Sequence, residues 1–311
     1  MRNGKLAYHA LAFAVVAVWG VTFISTKVLI GAGLAPAQIF ALRFSVAYIG
    51  ICAICALRRD GTAIWSRSLK DELLFVFLGI TGGSFYFLTE NSALACTQAC
   101  NVSFLVCIAP LMTLLLTLGY RKLFKGRLAD GLEDVRVGWP LISGTVLALA
   151  GMAAVLFDGN SVEFSLKGDL LAIGAALCWA FYSLFMGQMT EEYGAFFATR
   201  KVFFYGLVTI IPFIIGNWPE LSLLGRPEVW GNLLFLSVLA SLACFIAWNK
   251  VMSRLGNVTS TNYVYLNPFF TLVAAVLLLG ESLTLQSAIG CIAIVTGVAL
   301  SARSPSKAGN L

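Results

Sequence analysis

The chain has 311 residues, 59% of them hydrophobic and 12% charged, with a mean hydropathy of +0.88. A soluble domain carries about a quarter charged residues, and no aqueous core could hide this much apolar surface, which excludes a soluble enzyme or binding module and points to hydrocarbon as the solvent. The formal net charge of +6 invites a nucleic-acid reading that the distribution of the charges removes.

The first apolar stretch, 7–31, follows Arg2 and Lys5 and is longer than the core of a secretory signal. With equally apolar stretches after it, it reads as a retained first span. Stretches able to cross about 30 Å of hydrocarbon follow at 36–57, 72–91, 96–119 and 137–157, and again at 169–189, 195–216, 230–250, 258–280 and 285–302. Segments such as 142–157 are apolar throughout, whereas a β-barrel strand alternates, and lipid leaves helices as the remaining spanning element. The expected fold is therefore an all-α integral membrane protein with ten transmembrane helices.

Orientation follows from the links. With the N-terminus cytoplasmic, the inner face receives Arg2, Lys5, Arg58, Arg59, Arg67, Lys70, Arg121, Lys122, Lys125, Arg127, Arg136, Lys250, Arg254, Arg303 and Lys307, and the outer face only Lys167 and Arg226. Fifteen against two is a strong positive-inside bias, so both termini are expected in the cytoplasm. Asp158, Glu163, Asp169, Glu220, Glu228 and Glu281 fall outside with them. The basic balance thus reports topology and anionic lipid, and no nucleic-acid partner is expected.

The eight cysteines lie in or beside apolar stretches, and His9 is the single histidine. Cys52 and Cys55 have a redox or metal spacing, but within Ile-Cys-Ala-Ile-Cys-Ala they read as small packing side chains. No metal site, disulfide or cofactor is expected.

The two halves echo each other at an offset near 158. Phe87 to Leu94 lies over Phe245 to Met252, Pro110 over Pro268, Arg43 over Arg200 with one residue deleted, and Trp19 over Trp179. This duplication predicts two five-helix repeats, 7–157 and 169–302. An odd number of spans inverts the second copy and yields an inverted-topology pair, the plan on which many carriers build inward-open and outward-open states.

Polar groups inside apolar spans supply the candidate site. Arg43 lies about 10 Å inside the outer end of span 2 and Arg200 about as far inside the inner end of span 7. Each either frames one mouth of a central cavity or satisfies helix-terminal carbonyls and only fixes the fold. Lys201 is expected to reach the cytoplasmic interface. Lys27 and Glu90 are candidates for a pair across the outer vestibule, and Glu90 is the candidate proton carrier if transport is proton-coupled. Asn91, Gln98 and Asn101 cluster at one turn, while Asn249, Asn257, Asn262 and Asn267 occupy the related part of the second half, either as solute ligands or as glue between helices. Pro110 and Pro268 are expected to bend their helices. Pro268 frees a carbonyl near Tyr263, Tyr265 and Asn267. Trp19 and Trp179, set inside their spans, are candidate opposing walls of the cavity.

No Gly-rich loop ending in Lys and Ser or Thr is present, and neither Gly187-Gln188-Met189 nor Gly280-Glu281-Ser282 approximates a nucleophile elbow. An enzyme is not expected.

Val18-Trp19-Gly20-Val21-Thr22-Phe23, Leu42-Arg43-Phe44, Ala93-Leu94 with Pro110, and Asn267-Pro268 with Leu279-Gly280-Glu281 occur in an order and at separations that resemble the drug/metabolite transporter superfamily. The resemblance is to its ten-helix branch built from two EamA-type repeats and covers about residues 8–302. It implies a bacterial plasma-membrane carrier of amino acids, related metabolites or organic amphiphiles, often outward, by alternating access. The family's acidic residue after the fourth span of a repeat is matched by Glu281, whereas the aligned place in the first half is Leu123. An exporter of a small-molecule substrate is the leading expectation. An uptake carrier of the same fold and a non-transporting receptor or assembly protein are the alternatives.

Overall fold

The computed structural model describes residues 2–58, 63–132, 134–135, 137–157, 165–279, 284–302 and 306–307. Of the residues singled out above, Arg59, Arg136, Asp158, Glu163, Gly280, Glu281, Ser282 and Arg303 lie outside them.

The chain is all-α in class. Helices α1 (Arg2–Gly31), α2 (Pro36–Arg58), α3 (Leu69–Cys96), α4 (Ala99–Leu123) and α5 (Trp139–Leu156) are followed by α6 (Leu166–Tyr193), α7 (Ala195–Ile214), α8 (Pro227–Leu255), α9 (257–279) and α10 (Leu285–Ser301). Each overlies one predicted stretch. Among the described residues, seven helices are long and apolar enough to cross a membrane, α1 to α4 and α6 to α8. The apolar α5 and α10 are shorter, and α9 is broken into three pieces. A two-residue antiparallel pairing of Asp134–Val135 with Ser306–Lys307 brings the carboxyl-terminal segment to the α4–α5 link.

Contacts between links define two ends of the bundle. At one end the α2–α3 link meets the α6–α7 turn, where Arg200 Nη2 donates to the Ala63 carbonyl at 2.6 Å and Arg67 N to the Tyr193 hydroxyl at 3.1 Å. At the other, the α1–α2 turn meets the α7–α8 link through Gln38 Nε2 to Asn217 O at 2.9 Å, and Asn101 of α4 donates to Asp169 of α6 at 2.7 Å.

Helical regularity fails in matched places. The backbone of α3 is π-helical over Ile80–Ser84, with Gly83 at φ −127° and ψ −106°, and α8 is π-helical over Phe235–Ala243. The offset that lays Phe87 on Phe245 lays the first break within the second. In α4 the helix stops at Cys107 and Ile108 and restarts at Ala109 with Pro110 in its first turn. In α9 a 3₁₀ stretch, Asn262–Leu266, gives way to a new helix at Asn267 with Pro268 second. Both prolines stand where a missing N–H costs no helical hydrogen bond.

The short helices α5 and α10 pack on each other through glycine. A Cβ on Gly151 would stand 2.6 Å from the Gly290 carbonyl, and one on Gly144 2.5 Å from that of Gly297, so the two backbones touch in antiparallel register. Gly151→Val should therefore destabilise the purified protein by about 1–3 kcal/mol, read as a lower melting temperature in nanodiscs. An unchanged melting temperature would show that the helices stand further apart in lipid.

Candidate functional site

The centre of the bundle is aromatic. The rings of Trp19 on α1 and Trp179 on α6 meet edge to face at 5.3 Å, Trp248 lies 4.9 Å from Trp19, and Tyr86 lies 5.0 Å from Trp179. Phe87 and Phe245, the repeat-related pair, face each other at 6.3 Å. These helices can converge because α3 carries glycine where they cross. A Cβ on Gly82 would lie 2.1 Å from the Tyr182 ring.

Between the rings lies a cavity lined by Trp19, Thr22 and Phe23 of α1, Arg43 of α2, Tyr86, Phe87 and Glu90 of α3, and Val106 of α4. The second half adds Trp179, Phe245, Val264 and Asn267. At about 30 Å³ it holds about two waters, so the centre is nearly shut in this conformation.

Its polar groups are buried and incompletely partnered. Arg43 is 3% exposed, its Nε donates to Ser241 Oγ at 2.5 Å, and the guanidinium lies 4.6 Å over the Phe87 ring. A guanidinium has five N–H donors, so donors remain for the cavity. Glu90 accepts a hydrogen bond from the Tyr86 hydroxyl at 2.7 Å. The indole N–H of Trp179 and the Asn267 Oδ1 are buried without a partner, whereas the indole of Trp19 donates to the Ala240 carbonyl at 3.0 Å within the π-helical stretch of α8. Solvating such groups with a polar guest offsets a desolvation cost of about 1–3 kcal/mol each.

Trp19, Arg43, Glu90, Trp179 and Asn267 thus come together from the candidate list. The other candidates are placed elsewhere. Lys27 does not pair with Glu90. Its ammonium caps the end of α3, donating to the carbonyls of Leu94 at 2.6 Å and Thr97 at 2.7 Å, because a helix C-terminus in an apolar setting offers free carbonyls at short reach. Asn91 donates to the Pro36 carbonyl at 3.1 Å, and Asn249 accepts from Tyr182 at 2.5 Å while donating to Thr199 at 2.8 Å. Both hold helices together. Tyr263 shares a 2.7 Å hydrogen bond with His9, and Asn262 and Tyr265 are buried in the 3₁₀ stretch behind the cavity wall.

Lys201 departs from the role read from sequence, whereas Arg200 stands at a mouth and satisfies a backbone carbonyl, one of its two expected roles. Arg200 is half-buried and reaches the α2–α3 link, whereas Lys201 is 4% exposed and forms an ion pair with Glu72. Adjacent residues on a helix point about 100° apart, and hydropathy does not say which one faces inward. Glu72 was hidden because it sits in the first turn of α3, where an acidic residue reads as a solvated complement to the helix dipole. Tyr86 could have been found, since it stands one turn before Glu90 on the same face.

Long apolar helices packed around an aromatic-lined central cavity that holds a few polar groups define a multi-pass membrane protein. The chain belongs to the EamA-like transporter family, whose sequence model matches residues 6–122 and 166–303, and so to the drug/metabolite transporter superfamily. It is similar to an uncharacterized transporter of Archaeoglobus fulgidus, 26% identical over 94% of this chain and 96% of that one. It is 24% identical, over 88% of this chain and 86% of the other, to a Streptantibioticus cattleyicolor protein named probable terminal-alkyne amino-acid exporter. The uncharacterized inner membrane transporter YedA of Escherichia coli is 25% identical over 88% of this chain and 83% of its own. A solved crystal structure superposes with a TM-score of 0.72 at 19% identity, covering 97% of both chains, and shares the fold.

The capping role of Lys27 makes a separable prediction. Lys27→Met should destabilise by about 1–3 kcal/mol in thermal unfolding while leaving solute affinity within about twofold. A large loss of affinity with stability intact would return Lys27 to the binding site.

Proposed function

We propose that this chain is a secondary active transporter that exports a small dipolar metabolite, an amino acid or a related organic amphiphile, across a bacterial inner membrane by alternating access. The observation that carries the proposal is the central cavity, in which an incompletely partnered guanidinium, a carboxyl group and two partnerless buried polar atoms stand among tryptophan rings contributed by both halves of the chain.

In this reading Arg43 and the indole N–H of Trp179 receive the carboxylate of the solute, Glu90 and Asn267 receive its ammonium or amide donors, and the rings enclose its apolar part. The solute requires a wider cavity than the one described, which alternating access supplies when one mouth opens. All ten helices cross the membrane, α5, α9 and α10 included, as inverted repeats 7–157 and 169–302 with both termini cytoplasmic. The matched π-helical breaks, the matched prolines and the antiparallel glycine contact of α5 with α10 support that symmetry. The similarity to a named amino-acid exporter supports the substrate class. Glu90 is the proposed proton carrier, because it is the carboxyl group facing the solute. No catalytic role is proposed.

The test is flux through purified protein in liposomes loaded with labelled amino acids and related metabolites, with and without an imposed pH gradient. Protein-dependent flux is expected, Arg43→Gln should lower it at least about tenfold with folding intact, and Glu90→Gln should abolish its dependence on the gradient. No flux across the panel would overturn the transport reading. Independently, an impermeant amine reagent should reach Lys125 and Lys307 from the same side of the membrane. Labelling from opposite sides would refute the threading.

A further inference from the structure

The two mouths of the bundle are closed by unequal means. At the mouth where residues 63–68 lie, the carboxylate of Glu72 on α3 forms an ion pair with Lys201 of α7 and accepts hydrogen bonds from the hydroxyls of Tyr205 and Ser66, with a further bond of 2.8 Å from the Ser66 backbone N–H. The Lys201 ammonium also lies 4.8 Å under the Trp65 ring. Next to Glu72 in the chain, Asp71 accepts from the Tyr193 hydroxyl at 2.7 Å, and Arg200 ties the Ala63 carbonyl to α7. Apart from the Ser66 bonds, which lie within the α2–α3 region, each of these ties joins that region of the first half to α6 or α7 of the second.

Among the described residues, no ion pair joins the halves at the opposite mouth. There two amides span the halves, Gln38 to Asn217 and Asn101 to Asp169, and beside the first lies a cavity of about 260 Å³ bounded by Gln38, Leu42, Trp218 and Pro219. The offset that lays Phe87 on Phe245 puts Glu72 over Trp230, and the one that lays Arg43 on Arg200 puts Lys201 over Phe44. Neither mirror position can form an ion pair. Phe44 packs instead against Phe40, Phe87, Phe203 and Phe245.

We infer that the Glu72–Lys201 pair, with Tyr205, Ser66 and Trp65 around it, is a latch that holds the mouth at residues 63–68 shut, and that its rupture is the event that opens that mouth. The opposite mouth opens with the latch closed. The inference rests on the alternating-access reading for its place in a transport cycle, and on the described contacts alone for the latch itself. The Lys201 ammonium is 4% exposed, so loss of Glu72 leaves it sheltered without its counter-charge, and removing either charge breaks the link between the two halves. A merely structural pair would loosen the whole bundle.

The test is hydrogen–deuterium exchange of the full-length protein in nanodiscs, with mass-spectrometric readout by segment. Glu72→Gln and Lys201→Met should each accelerate exchange in 63–76 and 190–205 at least about tenfold, while segments 30–38 and 215–220 at the opposite mouth stay within about twofold of the original protein. The exchanged pair Glu72→Lys with Lys201→Glu should restore protection at the first mouth. Unchanged protection at 63–76 in a folded Glu72→Gln protein would overturn the latch. So would equal acceleration at both mouths, which marks general loosening. If either single variant fails to fold, the milder Tyr205→Phe, which removes one hydrogen bond, should give the same local acceleration at smaller amplitude, and no local change in it would again overturn the proposal. Because exchange is read without any solute, accelerated exchange in a protein with no flux would keep the latch and reject the transport reading. Flux with unaltered protection would do the reverse.

Discussion

Hydrocarbon offers no partner to a backbone N–H or C=O, and this constraint organises the whole molecule. A helix in lipid can be broken only where other protein groups or a wet cavity take up the released carbonyls and amides. The π-helical stretches of α3 and α8, the stop in α4 and the 3₁₀ stretch of α9 all obey it. Residues from all four of these helices on or beside the breaks, Phe87 and Glu90, Val106, Phe245, and Val264 with Asn267, line the central cavity. The Ala240 carbonyl within one break is taken by the indole of Trp19, a cavity residue. Irregular backbone and the central cavity therefore share one location for one reason.

The same constraint separates polar groups that hold the fold from polar groups that face a guest. Lys27, Asn91 and Asn249 each donate to carbonyls or hydroxyls of neighbouring helices, although the Asn91 Oδ1 is buried without a partner. Arg43, Trp179 and Asn267 retain donors or acceptors in a space bounded by aromatic rings. A buried polar atom without a partner is costly in a rigid core. In the proposed transport cycle a polar solute would take up these atoms.

Duplication then explains why the site is only partly symmetric. Trp19 and Trp179 occupy related positions and touch, yet one indole is bonded and the other is not. Arg43 is sealed beside the cavity, whereas its mate Arg200 is half-buried at a mouth, and the ion pair of Glu72 with Lys201 has no counterpart in the other half. Two copies of one packing plan diverge at polar positions first, because a solute and a membrane with unlike faces do not share the symmetry of the scaffold.

Composition and hydropathy determined the helical class and the membrane as solvent, the matched residues of the two halves pointed to the duplication, and ordered motifs carried the resemblance to the family, because each rests on many residues together and no single contact can reverse it. The wall residues Trp19 and Trp179 were legible from their repeat offset and their depth. Which of two adjacent cations faces inward, Arg200 or Lys201, and whether Glu90 meets Lys27 or Tyr86, were settled only by tertiary structure. A difference of about 100° around a helix axis, or of one helix end within reach of a lysine, leaves no trace in hydropathy. It depends on where neighbouring helices place their carbonyls, hydroxyls and carboxylates.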